Sequence, residues 1–171
     1  RCARLGGAGG GFGVLGTLRI VHRLHQENIL CEDLPFARAY HTPSFGAVLG
    51  PVAEFFAELT FRPPRLPVYS CAARGRMPGQ PEAIRELAIA QWTRTVAFRE
   101  TIEAMHAEGL RVFIDVGARG NLAGFVEDTL RGRPAFAMAA NLPRRSGMTQ
   151  LNHLVAALFA CSLFTATPAR A

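Results

Sequence analysis

Leu110-Arg111-Val112-Phe113-Ile114-Asp115-Val116, followed by Gly117-Ala118-Arg119-Gly120 and then by Asn121 to Leu130, is the stretch on which the fold class turns. A short run rich in β-branched and apolar residues, closed by a glycine turn, reads as a buried strand, and the segment after the turn reads as a helix. Working outward, Ala97 to Glu108 is a helix whose end falls at Gly109, where a left-handed C-cap belongs. Phe136 to Asn141 reads as the next strand and Met148 to Phe159 as a last helix. Helices alternating with short apolar strands predict an α/β layer with a mostly parallel sheet. No internal repeat interrupts that alternation.

Towards the N-terminus the pattern continues. Pro81 suits the first turn of a helix running to about Gln91, with Glu82 and Glu86 near its positive end. Arg74 to Pro81 is a turn, and Leu66 to Cys71, after Pro63, Pro64 and Pro67, reads as a buried strand. Phe45 to Leu59 is an amphipathic helix in which Pro51 is tolerable only near the first turn. Pro35 and Pro43 bracket a loop that presents His41; Ile29 to Leu34 is a short strand, and Thr17 to Asn28 a helix with Leu18, Val21, Leu24 and His25 on one face. Residues 1–16 hold seven glycines and little periodicity, so they read as a poorly ordered lead.

With 171 residues, 49% of them hydrophobic and 19% charged, the chain has the size and composition of one globular domain or a piece of a larger one. All nineteen basic residues are arginine, a coding bias that makes the net charge of +6 weak evidence for nucleic acid as partner. That charge favours anionic groups such as phosphorylated cofactors or an acidic carrier protein. Cys2, Cys31, Cys71 and Cys161 form no Cys-x-x-Cys pair, so neither a zinc site nor a disulfide framework is indicated, and a reducing cytoplasm is expected. No apolar run reaches the roughly 18 residues a bilayer requires, so no membrane partner is expected; the most apolar segment, Leu154 to Phe164, reads as a core-facing helix. A start at Arg1 without a secretory pattern suggests a fragment.

Gly11-Phe12-Gly13-Val14-Leu15-Gly16 fits the dinucleotide fingerprint formally, with a helix after it and Glu32 or Asp33 where a ribose-binding acid would stand. The mechanism needs a buried strand directly before the glycines. Arg1 to Leu5 does not read as one, so nucleotide binding is not expected.

The candidate chemistry lies at Tyr40-His41-Thr42-Pro43. An imidazole activates a serine hydroxyl by taking its proton, which requires both groups within hydrogen-bond reach. The nucleophile elbow Gly-x-Ser-x-Gly occurs nowhere among the 171 residues.

Leu34-Pro35-Phe36-Ala37-Arg38-Ala39-Tyr40-His41-Thr42-Pro43-Ser44-Phe45 resembles the catalytic-histidine segment of malonyl-CoA:acyl-carrier-protein transacylases, in particular the acyltransferase domains of polyketide synthases. Pro67 to Cys71 resembles their next strand, Gln91 to Ile102 the helix junction that follows, and Phe113 to Leu122 their late strand-and-turn signature. The resemblance covers residues 18 to 160, in matching order and spacing.

It implies an incomplete α/β-hydrolase-like large subdomain over 36–142, a remnant of the inserted ferredoxin-like small subdomain over 18–35, a post-acyltransferase linker and tail over 143–171, and a lead over 1–17. It implies His41 as general base and acid, the backbone carbonyl of Gln91 as the group holding the imidazole in its productive tautomer, and bulky Tyr40 as a selectivity residue favouring malonyl. The substrate would be the coenzyme A thioester malonyl-CoA, with no bound cofactor and no metal; the partners would be the phosphopantetheine arm of an acyl carrier protein and neighbouring synthase domains. The half of the family's site that carries the nucleophile has no counterpart here, so the chain alone is expected to be inactive. Ala118 and Thr95 stand where the family usually has proline, which implies looser turns. A non-catalytic docking module for a carrier protein or neighbouring synthase domain is the alternative.

Overall fold

The computed structural model describes residues 2–5, 14–33, 39–117, 119–143 and 145–165. The glycines at 6–13, Pro35, Ala118 and the tail at 166–171 lie outside the described residues. The chain divides into two compact units, Arg1–Val68 with Met77–Val96, and Tyr69–Arg76 with Ala97–Ala171.

In the first unit β1 (Cys2–Leu5) and β2 (Leu30–Asp33) flank α1 (Val14–Gln26) and pair in parallel, Cys2 opposite Leu30 and Leu5 opposite Asp33. The strand at Cys2–Leu5 corrects the sequence reading of a patternless lead: four residues show no period, and the ladder to β2 decides their state. Strand, glycines, helix and strand therefore follow one another as a dinucleotide site would require. Leu30 nevertheless remains 71% exposed, whereas such crevices open at the carboxyl edge of a sheet buried on both faces. In α1, Val21 and Leu24 are half-buried but His25 is exposed, so the histidine does not share the covered face. Asn28, at φ 54°, ends the helix in the left-handed region, with the amide of Ile29 bonded back to the Leu24 carbonyl at 2.9 Å.

A 3-10 helix, Pro43–Val48, leads into α2 (Leu49–Ala57), splitting the single helix expected over 45–59; Pro43, lacking an N–H, opens it without losing a bond. Helix α2 packs against α3 (Pro81–Ala90). Between them Arg85 donates to the Leu59 carbonyl at 3.3 Å and lies over the Phe61 ring.

The strand expected over 66–71 shrinks to β3 (Tyr69–Ser70), and Leu66 is 76% exposed. Pro63, Pro64 and Pro67 supply no N–H, so a ladder cannot be sustained through them. In the second unit β3 pairs antiparallel with β4 (Gly75–Arg76), inside the segment read as a turn. Tyr69 Oη donates to Glu108 Oε2 at 2.7 Å and the Arg76 guanidinium pairs with the same carboxylate, fastening the hairpin to the end of α4 (Phe98–Ala107). Gly109 follows at φ 95°, the left-handed cap expected there.

Strand β5 (Val112–Asp115), α5 (Asn121–Thr129) and β6 (Phe136–Ala139) form the βαβ core, with β5 parallel to β6. Ile102, Phe113, Val126 and Leu130 are buried together, with Phe98, Met105, Leu110 and Ala137 packed around them. Asp115, itself buried, organises the turn: Oδ1 accepts the Gly117 amide at 2.8 Å, and Oδ2 accepts the amides of Leu122 at 2.9 Å and Ala123 at 3.3 Å. The carboxylate thus satisfies donors that the first turn of α5 leaves open. Gly120, at φ 69°, has no room for a side chain; a Cβ would come within 2.6 Å of Leu142 and 2.7 Å of Ala139.

Helix α6 (Gly147–Thr165) is longer than expected, and the stretch read as core-facing carries exposed Val155 and Phe159. Its anchor is polar: the buried Gln150 amide accepts from the Leu142 N–H and donates to the carbonyls of Leu142 and Arg145. Among the described residues the strands form three two-stranded sheets, two parallel and one antiparallel, instead of one mostly parallel sheet.

Arg76 first, and then the Tyr69 hydroxyl, hold the Glu108 carboxyl below the ordinary carboxylate range. A depressed carboxyl stabilises the fold above its unfolded pKa and loses that contribution as pH falls through the folded value. Glu108→Gln should therefore melt below wild type near neutral pH, and the difference should shrink as pH falls below the ordinary carboxylate range and through the lowered folded value; thermal melts across the acid range check this. High salt should shrink the difference as well, because the pair is solvent-accessible.

Candidate active site

The last carbonyls of any α-helix have no partner within the helix and must find one outside it. Just past the end of α3 the carbonyls of Gln91 and Trp92 meet His41, the first of them taking the Arg94 amide as well, at 3.4 Å. The Gln91 carbonyl lies 2.8 Å from His41 Nδ1, and the next carbonyl, of Trp92, accepts the His41 backbone N–H at 2.8 Å. Helix α3 unwinds as it delivers them, through turn bonds from Trp92 N to Ile89 O and from Thr93 N to Ala90 O.

A carbonyl oxygen only accepts, so Nδ1 is the protonated nitrogen of the neutral ring and Nε2 keeps its lone pair. That is the tautomer a general base needs. The Gln91 side chain takes no part: its Nε2 donates back to the Ala88 carbonyl at 3.0 Å.

His41 holds φ at 61°, a left-handed conformation that costs an L-residue about 1–2 kcal/mol. The local sequence sustains it. Thr42 Oγ1 donates to the Ala39 carbonyl at 2.7 Å, and the Phe45 amide donates to the Thr42 carbonyl at 3.0 Å, closing the turn into the 3-10 helix at Pro43.

Tyr40 packs its ring on Phe45 at 4.9 Å and on Trp92 at 6.1 Å between centroids, beside the imidazole. Phe45 is buried, Tyr40 exposed and His41 half-buried. The three residues singled out from sequence, Tyr40, His41 and Gln91, are therefore together. Sequence reasoning missed Trp92 and Phe45. The signal available was an aromatic residue adjoining Gln91 and another within five residues of His41.

A cavity of about 380 Å³ belongs wholly to the second unit, lined by Phe98, Ile102, Met105, Phe113, Leu122 and their neighbours. Among the described lining residues Asp115 is the one titratable group, and it is committed to amide bonds. Among the described residues no cluster of His, Cys, Asp or Glu could hold a metal ion, and no helix is long and apolar enough to cross a membrane.

No family model matches the sequence. The spectinabilin polyketide synthase system protein NorB of Streptomyces orinoci is 30% identical over 73% of this chain and 6% of its own length. The polyketide biosynthesis acyltransferase homolog PksD of Bacillus subtilis is 28% identical over 68% of this chain and 35% of its own length. Among solved structures, the acyltransferase domain of SpnD, in complex with 2-(pent-4-yn-1-yl)malonyl, superposes with a TM-score of 0.74 at 19% identity, over 85% of this chain and 36% of that one.

In fold, then, the chain is of the acyltransferase type found in polyketide synthases and in malonyl-CoA–acyl carrier protein transacylases. Its curated sequence relatives are polyketide synthases and a polyketide acyltransferase homolog, and it spans about a third or less of the length of those named.

Because the clamp uses a main-chain oxygen, Gln91→Ala should change stability by less than about 0.5 kcal/mol. Gln91→Pro removes the N–H that bonds the Leu87 carbonyl and should cost about 3 kcal/mol. Urea titrations of both variants measure this; equal losses would assign the role to the amide side chain instead.

Proposed function

We propose that this chain carries the proton-transfer part of a polyketide-synthase acyltransferase site that moves malonyl from coenzyme A to an acyl carrier protein. The observation that carries the proposal is the 2.8 Å bond between His41 Nδ1 and the Gln91 carbonyl, which leaves Nε2 as the proton-exchanging atom. In the first half-reaction Nε2 takes the proton of a serine hydroxyl as its oxygen attacks the thioester carbonyl. As the C–S bond breaks, the same proton goes to the departing coenzyme A thiolate. In the second half, Nε2 takes the proton of the phosphopantetheine thiol, the thiolate attacks the malonyl ester, and the serine oxygen is reprotonated.

No Gly-x-Ser-x-Gly lies within these 171 residues, so the serine comes from outside them. Without a nucleophile most of the rate of a serine–histidine pair is lost. The α/β-hydrolase-like assignment of 36–142, the small-subdomain assignment of 18–35 and the linker at 143–171 are parts of the same proposal, as are neighbouring synthase domains as partners and a cytoplasmic setting. The net charge of +6 supports a second reading, docking of an acidic carrier protein without chemistry.

The isolated chain should not become covalently labelled by radiolabelled malonyl-CoA. Joined to a serine-bearing acyltransferase half it should load, and His41→Ala should abolish loading while leaving carrier-protein pull-down intact. Labelling of the isolated chain would overturn the division of labour, and unchanged loading by His41→Ala would favour the docking reading.

Tyr40 is proposed as the selectivity residue. One methyl is worth about 1–3 kcal/mol of discrimination, so Tyr40→Ser in the joined protein should raise methylmalonyl relative to malonyl loading by roughly 10-fold or more. Competition between the two thioesters measures the ratio; faster methylmalonyl loading by the wild type would remove the proposal.

A further inference from the structure

Two hydrogen bonds hold His41, and only the one at Nδ1 restrains the plane of its ring. The Trp92 carbonyl fixes the main chain and the Gln91 carbonyl takes the proton on Nδ1, yet the imidazole can still pivot about its bond to Cβ. That pivot matters because the N–H bond lies in the ring plane, and hydrogen bonds weaken steeply once the angle at hydrogen falls towards 120°. The tautomer depends on the plane.

What lies beside that plane is flat. The Trp92 indole is within 6° of parallel to the imidazole, centroids 6.5 Å apart, in the range of offset stacking. Buried Phe45 stacks on the same indole at 5.7 Å and 21°. The indole Nε1–H is buried and has no acceptor among the described residues, although a buried tryptophan ordinarily finds one. Its hydrogen-bonding end is therefore unused, and its contribution comes from its face.

We infer that Trp92 is a positioning residue for His41: its carbonyl anchors the left-handed backbone at His41, and its indole face, backed by Phe45, keeps the imidazole plane aligned with the Gln91 carbonyl. This deepens the proton-transfer reading of His41 and rests on it for its catalytic meaning. The geometric statement holds whether or not His41 transfers a proton.

The test reads the tautomer directly. Long-range proton–nitrogen NMR of the full chain with labelled histidine, near pH 8 where imidazoles are largely neutral, with the His41 signals assigned through His41→Gln, should show Nδ1 protonated and Nε2 bare. Trp92→Phe keeps a flat face and should preserve those shifts. Trp92→Leu and Trp92→Met keep bulk and lose flatness; each should yield a mixture in which the Nε2–H form is prominent, and either one suffices if the other does not fold by circular dichroism. Wild-type ring shifts in the folded Leu or Met variant would overturn the inference, even with a lowered melting temperature. So would a Phe variant as disturbed as the Leu variant, since that would assign the role to the indole N–H. These shifts are independent of the loading assay, so failure here and failure of the acyl-transfer proposal are told apart.

Discussion

The carbonyls just past the end of α3 are the constraint from which the site follows. Where a helix stops its chain turns carbonyls outward, and here Gln91 and Trp92 present two in succession to one residue about fifty positions away in sequence. The backbone of His41 answers one and its ring answers the other. A net gain of about 1 kcal/mol per neutral bond is comparable to what the left-handed backbone at His41 costs, so the two bonds offset the strain. Because the acceptors are main-chain atoms, the geometry depends on where the helix ends more than on which side chain stands at 91.

A similar economy appears in the second unit, where polar side chains close the chain's loose ends. Asp115 gathers the Gly117 amide of the turn and two amides at the start of α5, and Gln150 gathers the loop before α6. Both are buried, so each bond is made where an unmet donor or acceptor would be expensive. The apolar core is small by comparison, with Ile102, Phe113, Val126 and Leu130 at its centre, while Val116 beside it is 82% exposed.

Elements with strong local signals were legible in the sequence. The helices at Pro81 and Asn121, the strand at Val112 and the left-handed glycine at 109 lie where periodicity, a proline or a cap placed them. The misses have particular causes. β1 has too few residues to show a period and exists through its partner; β3 was overdrawn because the prolines at 63, 64 and 67 remove ladder donors that an apolar run seemed to offer. The face of α6 was misjudged because apolar composition does not say what covers it, and among the described residues Val155 and Phe159 stay exposed.

The sequence by itself determined that His41 sits in a turn between helices and that Gln91 ends one of them, because proline, glycine and helical period act over a few residues. Only the tertiary structure decided that the imidazole meets the Gln91 carbonyl, that the Gln91 amide turns back to Ala88, and that Trp92 lies parallel to the ring. The two contacts of His41 join residues about fifty apart, and every residue type carries the same backbone carbonyl, so local pattern does not show the Gln91 contact and only the resemblance to a known family pointed to it.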